Sequence, residues 1–250
     1  MEKTRGIKRN FGLIGRNIHY SFSRGYFREK FRRLGLQGHD YSNYDLADIA
    51  EFPALTRENP HLCGLNVTIP YKEAVIPYLE ALDPVATAIG AVNTIKFTPD
   101  GLIGFNTDAY GFQQALLPLL KPNHIQALIL GTGGASKAVA YVLRNQEISY
   151  CYVSRNPQGD QLAYQDLTPS IMKEYTLLIN CTPLGTWPDV DAKPAVPYDL
   201  LSPKHLLFDL IYNPEKTAFL SEGEKRGTVI SNGLKMLESQ AEKAWEIWNS

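Results

Sequence analysis

Short apolar runs alternate with helix-period stretches along all 250 residues, a pattern that predicts an α/β protein. Phe11-Gly-Leu-Ile-Gly15 reads as a first strand. Residues 23–34 follow as a helix, with Ser23 placed to cap it and Tyr26, Phe27, Phe31 and Leu34 on one face. Residues 41–44, 65–69, 91–97 and 102–105 read as further strands, and the Pro99-Asp-Gly101 turn joins the last two as a hairpin. A hairpin in this company predicts a mixed sheet. A second unit begins near Ala109, with a helix to Leu120 and a connection at Lys121-Pro-Asn123. The apolar strand Gln126-Ala-Leu-Ile-Leu130 then runs into Gly131-Thr-Gly-Gly-Ala-Ser136 and a helix to Asn145. Residues 150–154, 177–180, 206–209 and 229–231 read as the next strands. Residues 233–248 form a closing helix with Leu237, Ala241, Ala244 and Trp248 on one face and Gln240 at or beside it. Strand, Gly-rich turn, helix, strand is the opening of a dinucleotide-binding fold.

Composition narrows the class without naming a chemistry. A hydrophobic share of 44% and a charged share of 20% are ordinary for a globular chain of one large or two moderate domains. The net charge of −1 removes any broad electrostatic reason to expect nucleic acid or an anionic membrane as partner. The stretch Met1-Glu-Lys-Thr-Arg-Gly6 is polar, and no apolar run is long enough to span a bilayer, so a cytoplasmic protein is expected. Cys63, Cys151 and Cys181 stand far apart among apolar neighbours and read as buried structural thiols. The five histidines have no ligand spacing, and no metal is expected.

Chemistry concentrates in three segments: Gly64-Leu-Asn-Val-Thr-Ile-Pro-Tyr-Lys72, Gly90-Ala-Val-Asn-Thr94 and Gly104-Phe-Asn-Thr-Asp-Ala-Tyr-Gly111. They set Asn66, Thr68, Lys72, Asn93 and Asp108 among glycines and β-branched residues, where strands end at a surface. A pocket for a small, hydroxyl-rich molecule needs such groups, because a buried hydroxyl left unpaired loses ~1–3 kcal/mol. One lysine and one aspartate among neutral groups point to proton transfer. The bland alternative is a solvated Lys72 and an Asp108 that caps a helix. In the second unit, Gly131, Gly133, Gly134, Ala135 and Ser136 form an incomplete Gly-x-Gly-x-x-Gly, whose helix N-terminus can meet a pyrophosphate. A tight strand-to-helix turn favours glycine on its own account. Ser154-Arg155-Asn156 ends the following strand with no acid before Asp160, which favours NADP over NAD; the alternative is an arginine in solvent.

In this order, from about Phe11 to Trp248, the segments resemble the shikimate dehydrogenase family, NADP-linked enzymes of the chorismate and aromatic amino-acid route that reduce 3-dehydroshikimate to shikimate. The resemblance implies an N-terminal mixed-sheet substrate domain (residues 1–108 and 234–250), a Rossmann-like NADP-binding domain (109–233), and a C-terminal helix that returns to the first domain. It places Ser21 and Ser23 on the substrate carboxylate with Tyr212 nearby. Thr68, Lys72, Asn93, Asp108 and Gln240 fall on the ring hydroxyls, with Lys72 and Asp108 as the catalytic pair. Asn180-Cys-Thr182-Pro-Leu-Gly185 and Asp209-Leu210-Ile-Tyr212-Asn-Pro214 resemble the loops at the nicotinamide, where Thr182, Leu210 and Gly233 are expected. Cofactor and substrate then meet between the domains.

The chain departs from the family pattern in several places. It has Asn17, Tyr20 and Arg24 where the family commonly shows Pro, His and Pro, Thr186 where Met is frequent, and no second arginine after Arg155. Pro157-Gln-Gly159 leaves a connection too short for the usual crossover helix. The expected partners are small molecules, with a monomer or homodimer as the working form. An enzyme preferring quinate, with NAD, and a ligand-binding module without turnover are the competing readings.

Overall fold

A computed structural model of the chain describes residues 8–19 and 21–250. The polar stretch 1–6 and Tyr20 lie outside the described residues. Two compact units emerge, Met1–Thr107 with Ala241–Ser250, and Asp108–Gln240.

The first unit is built on β1 (Arg9–Gly15), β2 (His39–Asp45), β3 (Leu62–Val67), β4 (Ala81–Leu82), β5 (Thr94–Thr98) and β6 (Gly101–Phe105), in the order β2-β1-β3-β5-β6-β4. β1 runs parallel to β2 and β3, whereas β3–β5 and β5–β6 are antiparallel, so the sheet is mixed as the hairpin required. Strand β5 begins at Thr94 and not at Ala91 as expected; before it, the Val92 amide turns to the Lys72 carbonyl at 2.7 Å. Helices α1 (Phe22–Arg33), α2 (Phe52–Glu58), α3 (Tyr71–Ala74) and α4 (Pro84–Ile89) belong to this unit. Phe11, Leu13, Phe27, Phe31, Tyr41 and Trp248 form one hydrophobic cluster; Ile14, Leu65, Val67, Ile95 and Phe52 form another. Side chains from β1 enter both, which explains its unbroken apolar run.

One local expectation is corrected. Ser21, not Ser23, caps α1: Ser21 has extended backbone and its hydroxyl oxygen accepts the Ser23 amide at 3.2 Å. Ser23 lies inside the first turn and is buried. α2 and α4 have no apolar period long enough to announce them. α4 is instead announced by Asp83-Pro84, where the carboxylate accepts the Ala86 amide at 2.8 Å and proline takes the first helical position.

The second unit holds α5 (Thr107–Leu116, its first residue still in the first unit), β7 (Gln126–Leu130), α6 (Gly134–Asn145), β8 (Ser149–Ser154), β9 (Leu162–Ala163), α7 (Pro169–Glu174), β10 (Leu177–Asn180), β11 (Leu206–Asp209), α8 (Ala218–Lys225), β12 (Val229–Ser231) and the start of α9 (Leu234–Asn249). Its sheet is parallel throughout, in the order β12-β11-β10-β7-β8-β9. The order reverses between β7 and β10, which opens a crevice at the carboxyl ends of those strands. Residues 155–161 pass from β8 to β9 without a helix.

The last ten residues of the chain belong to the first unit. Trp248 stacks on Phe11 with ring centroids 4.9 Å apart and donates its Nε1–H to the Ile95 carbonyl at 3.0 Å. Glu242 pairs with Lys30 and with the Tyr26 hydroxyl. All three cysteines are free; each residue is partly exposed, although Cys63 and Cys151 pack against the hydrophobic clusters and the Cys181 thiol itself is enclosed. Among the described residues, no helix is long and apolar enough to cross a membrane, and no cluster of His, Cys, Asp and Glu could hold a metal.

Candidate active site

In the first unit the polar residues singled out by sequence form part of a buried lattice. Register places Asn66 of β3 opposite Thr94 of β5, and Asn66 Nδ2 reaches Thr94 Oγ1 at 3.2 Å and the Asn93 carbonyl at 3.3 Å. On its other side Asn66 Oδ1 accepts the Tyr41 hydroxyl at 2.7 Å. Asn93 Oδ1 accepts the Thr107 amide at 2.6 Å, and Asn93 Nδ2 donates to Thr107 Oγ1 at 3.0 Å. These bonds fix the Asn93 amide and hold the chain just before Asp108. Every member is buried, where a satisfied network is rigid and a broken one costly. Tyr41, Thr94 and Thr107 were not singled out from sequence, since only the register across strands brings them in.

Thr68 follows β3 and is half-buried, its amide bonded to the Ile14 carbonyl at 2.9 Å. Ile69, expected as the end of that strand, is instead 75% exposed. Lys72 is half-buried on α3, whose position is set by the bond from the Val92 amide to the Lys72 carbonyl. Ser21 and Ser23 stand together at the start of α1. The Ser21 oxygen is occupied by the Ser23 amide, which leaves its hydroxyl proton to donate elsewhere.

In the second unit Asp108 occupies the first turn of α5, only 9% exposed, where the helix dipole favours a carboxylate. Gly111 lies one turn on along the same face, and a Cβ there would come within 3.0 Å of Gln240 Cβ. Gln240 of α9 therefore packs beside the α5 face that carries Asp108. Tyr212 is half-buried in the loop after β11.

The glycine turn passes a direct test of fit to a nucleotide. Gly133 begins α6 with no side chain capping it, and no atom lies within 4 Å of where a Cβ would stand at Gly133 or Gly134. That leaves room for a pyrophosphate at the N-terminus of this helix, where the first backbone amides have no intrahelical partner. Gly131 adopts φ +97°, the left-handed region, and a Cβ would press on Thr182 Cγ2 at 2.8 Å. Ser136 is turned inward: its amide and hydroxyl both close on the Gly133 carbonyl, at 2.9 and 2.7 Å, so it shapes the turn from inside. The Gly131 amide bonds the Val153 carbonyl at 2.9 Å and thereby sets the turn beside the end of β8. There the Asn156 amide curls back onto Ser154 Oγ at 3.2 Å, and Arg155 is exposed. No carboxylate side chain occurs between 154 and 159 to repel a phosphate.

Thr182, Leu210 and Gly233 gather at the ends of β10, β11 and β12. The Leu210 amide donates to the Asn180 carbonyl at 3.1 Å and the Gly233 amide to the Ile211 carbonyl at 2.9 Å. Beneath them lies Asp209, fully buried, which sequence reading did not assign. It accepts from Asn180 Nδ2 at 3.0 Å, the Ile211 amide at 3.0 Å and the Thr217 hydroxyl at 2.6 Å. Burial raises its carboxyl to about 6 even against those three bonds. Burial likewise pushes the neighbouring Cys181 thiol far up, so no thiolate is to be expected there.

Comparison with known proteins adds an independent line. The profile of the shikimate dehydrogenase substrate binding domain matches residues 13–95. A protein named Shikimate dehydrogenase (NADP(+)) from Desulforamulus reducens is 35% identical over 263 residues, covering 95% of this chain and 88% of its own. One of the same name from Clostridium botulinum strain Hall is 33% identical and covers 95% of each chain. The solved shikimate 5-dehydrogenase of Thermus thermophilus, in complex with NADP(H) and shikimate, is similar with a TM-score of 0.85 at 33% identity, covering 96% of this chain and 93% of that one.

Proposed function

The chain belongs to the shikimate dehydrogenase family, and from that premise we propose that it catalyses the reversible NADPH-dependent reduction of 3-dehydroshikimate to shikimate. The likeness to NADP-linked shikimate dehydrogenases along 95% of the chain is the observation that supports this most. The open space at Gly133 and Gly134, and an exposed Arg155 with no acid among residues 154–159, support NADP as the nucleotide.

The nucleotide, when bound, would supply a hydride and be left oxidised as NADP+; the protein's part is to hold the ketone and to give its oxygen a proton. Lys72 and Asp108 are assigned to this proton. An ammonium at Lys72 stabilises negative charge growing on the oxygen, and in the oxidative direction the deprotonated member of the pair accepts the hydroxyl proton. Thr68, Asn93 and Gln240 are assigned to the ring hydroxyls. Asn93 suits this because its amide is held by Thr107 and Thr94, so little orientation is left to lose on binding. Ser21 and Ser23 are assigned to the carboxylate, with Tyr212 near it. Gly131, Gly133, Gly134 and Ala135 are assigned to the pyrophosphate, with Ser136 shaping their turn. Ser154, Arg155 and Asn156 take the 2′-phosphate, and Thr182, Leu210 and Gly233 the nicotinamide end. The reaction is placed in the cytoplasm, on small molecules, by a monomer or homodimer.

The test follows NADPH oxidation by 3-dehydroshikimate, wild type against Lys72→Ala. We expect kcat to fall about 10²–10⁴-fold. A loss confined to KM makes Lys72 a binding group and not a proton donor. A folded wild type that turns over quinate with NAD, and not 3-dehydroshikimate with NADPH, overturns the reading.

A further inference from the structure

Asp209 is hidden from solvent at the end of β11, and the groups bonded to its carboxylate are all donors. The titratable side chains felt there are Cys181 and Tyr198, both held in their neutral forms by burial. Three hydrogen bonds therefore carry the charge.

An ionised carboxylate only accepts, so it dictates which way the Asn180 amide faces. Asn180 Nδ2 must point at Asp209, and Asn180 Oδ1 must point the other way. There it accepts the Thr182 amide at 3.0 Å and the Thr182 hydroxyl at 2.7 Å. Thr182 Oγ1 accepts the Leu184 amide in turn, at 3.3 Å. On the adjoining strand Asp209 Oδ1 also captures the Ile211 amide, whose carbonyl receives the Gly233 amide. Loops from three neighbouring strands thus hang on one buried anion.

We infer that Asp209 is a positioning residue for the nicotinamide end of the nucleotide site, directing a one-way chain of hydrogen bonds through Asn180 to Thr182 and tying that loop to Leu210, Ile211 and Gly233. The inference rests on the assignment of Thr182, Leu210 and Gly233 to the nucleotide made above. A merely structural Asp209 would serve only Thr217, which caps α8.

Asparagine and alanine at 209 separate the two roles. In Asp209→Asn the new NH₂ can face Thr217, whose hydroxyl can accept, while the remaining oxygen still serves Asn180 and Ile211. Asp209→Ala leaves both of those donors without an acceptor and lets the Asn180 amide turn over. NADPH dissociation constants, read by nucleotide fluorescence without substrate, should rise about tenfold or more in Asp209→Ala and stay within about threefold of wild type in Asp209→Asn. The KM for 3-dehydroshikimate should change less than about twofold in both. Wild-type NADPH affinity in folded Asp209→Ala overturns the inference, as does an equal rise in the NADPH constant and the substrate KM. Should Asp209→Ala not fold, Asn180→Ala decides: it removes the relay and leaves Asp209 bonded to Ile211 and Thr217. It must show the same NADPH-selective loss, and wild-type affinity there refutes the relay. A wild type that binds NADPH without turning over 3-dehydroshikimate defeats the proposed reaction and leaves this affinity test standing.

Discussion

Gly64→Ala is expected to loosen the end of α9 from the first unit. A methyl group at position 64 would stand 2.6 Å or less from three atoms of the Trp248 indole. The ring has nowhere to retreat. It is 3% exposed, stacked on Phe11 at 4.9 Å, tilted against Phe27 at 5.3 Å, and bonded through Nε1 to the Ile95 carbonyl at 3.0 Å. Overpacking of this kind destabilises by ~1–3 kcal/mol. A displaced indole also leaves its own buried N–H without the Ile95 carbonyl, ~1–3 kcal/mol more. A central value of ~4 kcal/mol corresponds, in a chain of this size, to a Tm loss of about 8–16 °C. Thermal unfolding followed by near-ultraviolet circular dichroism reads it, since Trp248 is itself a reporter. The sharper form is a double-mutant cycle: in a Trp248→Ala background, itself weakened by ~3–5 kcal/mol, adding Gly64→Ala should change stability by less than ~1 kcal/mol. An unchanged Tm in Gly64→Ala, or the same loss in both backgrounds, refutes the steric argument.

Two further outcomes are expected. Arg155→Ala should raise the KM for NADPH about tenfold, the lower end for a charge-assisted bond at an exposed site, and leave the KM for NADH within about twofold; equal effects on both nucleotides would remove Arg155 from the 2′-phosphate. Asp209 also makes a signed prediction about pH. Its folded carboxyl lies near 6, raised by burial from an ordinary value of 3.8. A raised acid stabilises the fold in its protonated form; that stability is full below the unfolded value and is lost as pH rises through about 6. Asp209→Asn does not titrate, so its stability should gain on wild type by on the order of 3 kcal/mol between about pH 4 and pH 7. Parallel stability curves for the two proteins contradict this, Cys181 and Tyr198 being neutral across that range.

Much of the architecture could be read before any coordinates, because it is carried by local signals. The apolar runs of β7, β10 and β11 declare strands covered on both faces. Pro99-Asp100 forms the hairpin that makes the first sheet mixed. Gly131 stands where the chain needs a left-handed turn, and residues 155–161 are too few for a crossover helix. Each of these depends on residues a few positions apart, so periodicity and turn chemistry suffice.

What escaped depends on partners far along the chain. Ser21 takes the cap expected of Ser23: its backbone is extended and its oxygen accepts the Ser23 amide, while Ser23 is buried inside the first turn. The partnership of Tyr41, Asn66 and Thr94 exists only through the register of β2, β1, β3 and β5. Asp209 looks like any acid at a strand end until the fold surrounds it with Asn180, Ile211 and Thr217 and removes water. Residue types and short spacings thus determined the two sheets, the glycine turn and the chemical vocabulary of the site. Which polar groups are buried, and what each is bonded to, was decided by tertiary packing alone, because desolvation and hydrogen-bond direction belong to an environment assembled from distant segments.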